Sequence, residues 1–371
     1  MDQARSGHHN LARKGQFVKK TLDTSAAERS RGRRSRVGAR ALAAVGAAAT
    51  LALTACGGSG SDSAAGAGDD GKNVTLISCT NSNPWCNGFN KGLEEQLGQE
   101  GVQVTTQTSD FDAAEASRQF AQAVSQRPDL ILYYVNDPNA AVADYQKAQQ
   151  AGVPVVVVDT VVGDESDGLI AAALQPDHEA LGTFAAENIQ EGLKAQGVTE
   201  GNVIAITGTA TQNTTVVRMN AFREQMATTP EYTIVETQDG DWDPVKSATI
   251  ASQMFAKYGP TGIAAIYGMA DYQAASIAQA AEQAGAPLYP ASDEGVVITG
   301  SNCATTGIDA MRAEKVYGGA TQAPAQEAEQ YTPYIMQVLN GESLDSDGPI
   351  SVPVERITYT TVEDFADICV Y

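Results

Sequence analysis

The sequence predicts an α/β protein of two successive doubly wound lobes. From Val74 onward, apolar runs of strand length alternate with longer amphipathic stretches, as βα units around parallel sheets require. The series runs through four strands, ends near Asp159 and starts again at Val203. Beyond residue 55 the chain has 316 of its 371 residues, about two domains at ~150 residues each.

In order, the apolar runs predict strands at Val74–Ser78, Val102–Thr108, Leu130–Tyr134 and Val153–Asp159. Helices are expected near Pro84–Gln99, Ala113–Gln126 and Ala140–Ala151 between them. The second series predicts strands at Val203–Thr207, Tyr232–Thr237, Gly262–Tyr267 and Val296–Thr299. Its helices are expected near Val216–Ala227, Val245–Lys257 and Gln273–Gly285. Pro154, Pro230 and Pro287 stand at strand entries, where proline ends the preceding helix. A further helix, Pro324–Leu339, and extended segments around Ile350–Tyr359 follow. In such sheets the functional loops follow the strand C-termini.

The first 55 residues carry eleven Lys or Arg and three acids, and Ala41–Leu53 is an uncharged apolar run. A basic segment followed by a run of 13 residues reads as a signal peptide and is short for a membrane span. Leu53, Thr54, Ala55 and Cys56, followed by Gly57, resemble the bacterial lipobox. That resemblance implies that residues 1–55 are removed and that Cys56 is acylated, anchoring the protein on the extracytoplasmic face of the bacterial cell membrane. Residues 57–73 are almost all Gly, Ser, Ala and Asp, a flexible tether of roughly 23 Å by random-coil scaling.

Without residues 1–55 the chain keeps 13 of its 24 basic and 42 of its 45 acidic side chains, so the formal charge moves from −21 to −29. A field of that sign repels phosphate backbones and argues against nucleic-acid binding. Of the three histidines, His8 and His9 lie in the leader, and His178 reads as a surface residue at a helix start. No zinc spacing, nucleophile elbow or phosphate loop occurs in the sequence, so neither a metal, a cofactor nor catalysis is expected.

The stretch Ile77 to Trp85, with Asn83 and Pro84 before the aromatic ring, is similar to the first strand and loop of ribose-type periplasmic binding proteins. Further matches follow in order: the valines before Asp159, Arg218 ahead of Phe222, and Asp241-Trp242-Asp243 before a helix. Gly300-Ser301-Asn302 and Gly319 to Gln322 complete the series, so the resemblance covers nearly all of residues 73–360. It implies the type I periplasmic binding fold, two lobes joined by a three-segment hinge. Residues 74–175 with 323–356 would form the first lobe, and 176–322 with 357–371 the second. It also implies a monomeric solute-binding protein that delivers a small sugar or polyol to an ABC permease.

Carried over, Asn83, Trp85, Cys86 and Asp159 are the first lobe's ligand residues, and Arg218, Trp242, Asp271, Asn302 and Gln322 those of the second lobe or hinge. Aromatic faces stack on apolar C–H faces, and the polar side chains bond hydroxyls. Several have a bland alternative: a tryptophan covering a lobe surface, Asp159 as a helix or loop cap, Arg218 in a surface ion pair, Asp271 as a helix cap. Asn302 and Gln322 are equally able to satisfy loop backbone. Ribose binders of the family carry Arg after the strand-end Asp, where this chain has Thr160; the usual Asn-Asp pair reads Ala270-Asp271, and a further Asp reads Asn302. These departures point to a sugar or polyol other than ribose. A sensory receptor subunit, a binder of a non-sugar metabolite and an enzyme of related architecture are the alternatives.

Four cysteines besides Cys56 allow three pairings. The two-lobed fold that the resemblance implies selects Cys79 with Cys86 and Cys303 with Cys369, because a bridge between lobes would block hinge motion.

Overall fold

The computed structural model describes residues 71–344 and 348–371. Cys56, the leader and the tether up to residue 70 lie outside the described residues.

The chain opens with β1 (Asn73–Ser78), α1 (Pro84–Gln99), β2 (Gln103–Thr108), α2 (Ala113–Gln126), β3 (Leu130–Tyr133), α3 (Pro138–Ala151) and β4 (Val155–Val158). Next come β5 (Ala172–Pro176), α4 (His178–Ala195), β6 (Gly201–Thr207), α5 (Asn213–Met226), β7 (Tyr232–Asp239) and α6 (Pro244–Tyr258). Then follow β8 (Ala265–Gly268), α7 (Asp271–Gln283), β9 (Leu288–Tyr289), β10 (Val296–Thr299), α8 (Thr305–Arg312) and β11 (Gly318–Ala320). The chain finishes with α9 (Pro324–Leu339), β12 (Ile350–Val352) and β13 (Arg356–Thr358).

Local chemistry explains where several helices start. Asn83, Asp112, Asp137, Asp177 and Asp243 are N-caps whose side chains accept backbone N–H bonds, satisfying donors the helix leaves open. Three of these caps are followed by proline, at Pro84, Pro138 and Pro244, where the missing N–H costs nothing.

Two sheets result. The first has strand order β12-β5-β4-β3-β1-β2, and every pair in it is parallel. The second runs β13-β11-β10-β8-β6-β7, with β9 beside β10 and only β13 antiparallel. Residues 155–158 are four valines, all buried, the composition of a strand covered on both faces. The chain passes between the sheets three times, after β5, after β11 and after β12. These are two doubly wound α/β lobes joined by a three-segment hinge.

Sequence periodicity leaves β5, α4, β9, α8 and β11 unplaced. The inward face of α4 is built of Gly182, Ala185, Ala186, Asn188 and Gly192 beside a few larger residues, so its apolar contrast is weak. That composition has a packing reason: a Cβ at Gly182 would stand 2.2 Å from the carbonyl oxygen of Arg218 on α5. The two helices approach backbone to backbone at the residue whose side chain enters the cleft.

Two disulfides are present among the described residues. Cys79 is joined to Cys86, with Cα atoms 6.0 Å apart, and Cys303 to Cys369 at 5.0 Å. The first closes the loop that follows β1 in the first sheet, and the second ties the loop after β10 in the second sheet to the C-terminal segment after β13.

Gly182→Ala is expected to destabilise the protein by about 1–3 kcal/mol, the range for overpacking a tight contact. Urea denaturation of the variant checks this; an unchanged midpoint would show that α4 and α5 separate freely.

Candidate functional site

The loops after β1, β2, β3 and β4 in one sheet face those after β6, β7, β8, β10 and β11 in the other. Between them lies a cavity lined by Asn83, Trp85, Cys86, Asp159, Arg218, Trp242, Asn302 and Gln322. Phe111, Tyr134, Thr214 and Tyr272 complete its wall. Its volume is about 20 Å³, room for about one water molecule, so a larger ligand requires the lobes to part or side chains to turn.

Arg218 holds the centre. It lies on the inner face of α5, only 1% exposed. Its Nε and Nη2 donate to Nδ1 of His178 at 3.3 and 3.2 Å, Nη1 donates to Oδ1 of Asn302 at 3.2 Å, and Nη2 donates to Oε1 of Gln322 at 2.7 Å. Four of the five guanidinium N–H groups are thereby committed, all to neutral acceptors. The guanidinium carbon also stands 5.4 Å from the Trp242 ring centroid, within cation–π range.

His178 is therefore not the surface residue expected from its place at a helix start. It begins α4, but it is 2% exposed. Its Nε2 bonds the carbonyl oxygen of Asp159 at 2.8 Å, which requires a proton on Nε2 and leaves Nδ1 as the acceptor for arginine. Burial and the neighbouring Arg218 charge hold its pKa well below the ordinary value, so the ring stays neutral.

Asp159 follows β4 with φ +60° and is buried. Its Oδ1 accepts from Nε2 of Gln322 at 2.8 Å, so Gln322 ties the arginine of one lobe to the carboxyl of the other. Burial pushes the Asp159 carboxyl up to about 8, against the opposing pull of Arg218 and Gln322. Glu327, in the first turn of α9, is raised too, by burial and then by Asp159.

The aromatic groups are held as firmly. Trp85 lies in the first turn of α1; it stacks on Phe89 at 4.8 Å, and its indole N–H donates to the Gln322 carbonyl at 3.1 Å. Trp242 is carried by a loop in which Asp241 and Trp242 have φ of +52° and +56°, and its N–H donates to Oε1 of Gln212 at 2.7 Å. A Cβ at Gly208 would stand 1.9 Å from the indole, so only glycine admits the ring there. Across the cleft, Nδ2 of Asn83 donates to the Tyr272 hydroxyl at 3.0 Å.

Asp271 is a correction: it does not line the cavity. It is the first residue of α7 after the N-cap Ala270, and its carboxyl accepts the backbone N–H of Ala304, the N-cap of α8. The next residue, Tyr272, takes the place in the wall. Sequence reasoning also missed Phe111, Tyr134 and Thr214; the edge-to-face contact of Phe111 with Tyr134 joins residues far apart in the chain. Among the described residues no group of three or more His, Cys, Asp or Glu side chains is placed to hold a metal ion.

Two parallel-sheet lobes with aromatic and hydrogen-bonding groups gathered at facing strand ends define a cleft-type ligand-capturing protein. Residues 74–343 match the family model described as periplasmic binding protein domain, and the chain belongs to that family. It is 26% identical over 212 residues to the D-allose-binding periplasmic protein of Escherichia coli (strain K12), covering 56% of this chain and 67% of that protein. It is 20% identical over 286 residues to the ribose import binding protein of Bacillus subtilis (strain 168), covering 77% and 87%. Among solved structures, the periplasmic binding component of the arabinose ABC transporter from Shewanella sp. ANA-3 superposes with a TM-score of 0.72 at 18% identity, covering 80% of this chain and 95% of that one.

The raised carboxyls fix a pH dependence. An acid with a folded pKa of about 8 keeps its proton while the unfolded chain, near ~3.9, releases it. The folded state then binds more protons between those values, so stability falls as pH rises from roughly 4 to 8. Chemical denaturation at pH 5 and pH 8 is expected to show lower stability at pH 8, and Asp159→Asn to reduce the difference; an unchanged difference in the variant would remove Asp159 as its source.

Proposed function

We propose that this protein captures a monosaccharide or small polyol between its lobes and presents it to an ABC import permease. The observation that carries this is the wall itself: a carboxyl on the first lobe and an arginine on the second, flanked by Trp85 and Trp242. A sugar ring has the complementary surface, hydroxyl edges for charge-assisted bonds and C–H faces for stacking. The names of the allose- and ribose-binding relatives support the same class.

In this reading the ligand completes contacts to both lobes only when they are closed, so binding draws an open-to-closed equilibrium toward the closed form. The protein acts as a monomer and turns nothing over. Lipid attachment at Cys56 and removal of residues 1–55 are part of the proposal, supported by the basic segment, the apolar run and the small residues before that cysteine. The acidic mature surface suits a protein whose membrane association comes from an anchor rather than from its folded face.

A thermal-shift screen of residues 57–371 against pentoses, hexoses, polyols and amino acids tests the assignment. One sugar or polyol is expected to raise the melting temperature, and Trp242→Ala to abolish the rise. A rise only with an amino acid would overturn the ligand class.

A further inference from the structure

The first turn of α5 carries a buried polar group that no described residue bonds. Thr214 lines the cavity and is 3% exposed, and its Oγ1 has no hydrogen-bond partner among the described residues. A buried hydroxyl left unsatisfied is costly and calls for an explanation. Thr215, with the same exposure, also has an unpartnered Oγ1, but it is not part of the cavity wall.

Thr214 and Arg218 are four residues apart on one helix, so they share a face. Arg218 has one N–H, on Nη1, beyond the four that its neighbours accept. The N-terminus of α5, with Gln212 as an N-cap that makes no side-chain capping bond, adds the partial positive charge of open backbone N–H groups. This side of the cavity therefore offers donors toward the ligand, whereas Asp159 on the opposite side offers a carboxyl.

We propose that Thr214 is a ligand-contacting residue, its hydroxyl and the remaining Arg218 N–H forming a subsite on α5 for two neighbouring hydroxyls of the ligand. This rests on the reading of the ligand as polyhydroxylated. The arginine can only donate, so the hydroxyl it meets acts as acceptor. Threonine donates or accepts and follows the orientation of the second hydroxyl.

Thr214→Val keeps the side-chain shape and removes the oxygen, and Thr214→Ser keeps the oxygen. Without ligand, Thr214→Val is expected to melt at or above the temperature of the unaltered protein, because a group without a protein partner is lost. With the sugar or polyol that gives the largest thermal shift, titration calorimetry should show binding weakened roughly three- to tenfold, the range of one neutral hydrogen bond. Thr214→Ser should restore most of the affinity, and Thr215→Val should leave it unchanged. For one monodeoxy derivative of the ligand, Thr214→Val should cause no loss. A lower melting temperature of ligand-free Thr214→Val would show that the hydroxyl serves the fold, and equal affinity of Thr214→Val and the unaltered protein would show that it does not meet the ligand. Either result overturns the assignment. If the best ligand proves not to be polyhydroxylated, the proposed function and the paired-hydroxyl subsite both fall, while the valine and serine comparison on that ligand still decides whether Thr214 contacts it.

Discussion

The site is organised around a full positive charge buried on α5. Taking a guanidinium out of water costs several kcal/mol unless its donors are met, and Arg218 meets this cost without a hydrogen-bonded carboxylate. His178, Asn302 and Gln322 each bring a neutral acceptor, and each comes from a different segment: the start of α4, the loop after β10 and the loop after β11. The need to satisfy one side chain thus fixes three segments relative to α5. It also fixes the histidine tautomer, since a ring protonated at Nδ1 would present a donor to a donor.

Through Gln322 the same network reaches the other lobe. The amide accepts from Arg218 with its oxygen and donates to Asp159 with its nitrogen, so an arginine and a carboxyl are held apart by a neutral spacer. A direct ion pair would quench both groups; the spacer leaves the arginine an N–H with no acceptor among the described residues and keeps the carboxyl buried. Neither disulfide links one sheet to the other. Among the described residues, separation of the lobes therefore breaks hydrogen bonds and apolar contacts, but no covalent cross-link.

Much of this was legible in the sequence where local chemistry is strong. Val155–Val158 announces a doubly covered strand, and Asn83-Pro84 and Asp243-Pro244 mark helix starts through capping and ring geometry. Trp85, Asp159, Arg218, Trp242, Asn302 and Gln322, expected at strand ends or carried over by resemblance, do converge on one cavity. What stayed hidden depends on tertiary context. The inward face of α4 is small and polar, so it lacks the contrast that periodicity detects. His178 looks like any polar residue at a helix start until Arg218 and Asp159 are placed beside it. Asp271 and Tyr272 are adjacent, and sequence spacing does not tell which of the two turns toward the cleft. Tyr134 and Thr214 sit in ordinary strand-end and helix-start positions with no compositional signal.

The loop bearing Trp242 has a further consequence. Two consecutive non-glycine residues hold left-handed backbone there, a conformation that costs free energy and persists only when its surroundings enforce it. Asp243 caps α6 on one side, and Gly208 yields its side-chain volume to the indole on the other. The main chain thus sets the direction in which the side chain leaves the loop, and Gly208 with the bond to Gln212 fixes the ring. Such a loop works as a socket: it gives the side chain a fixed point of departure at the cleft wall, and the breadth of the plate it carries then sets how much of a ligand face is covered.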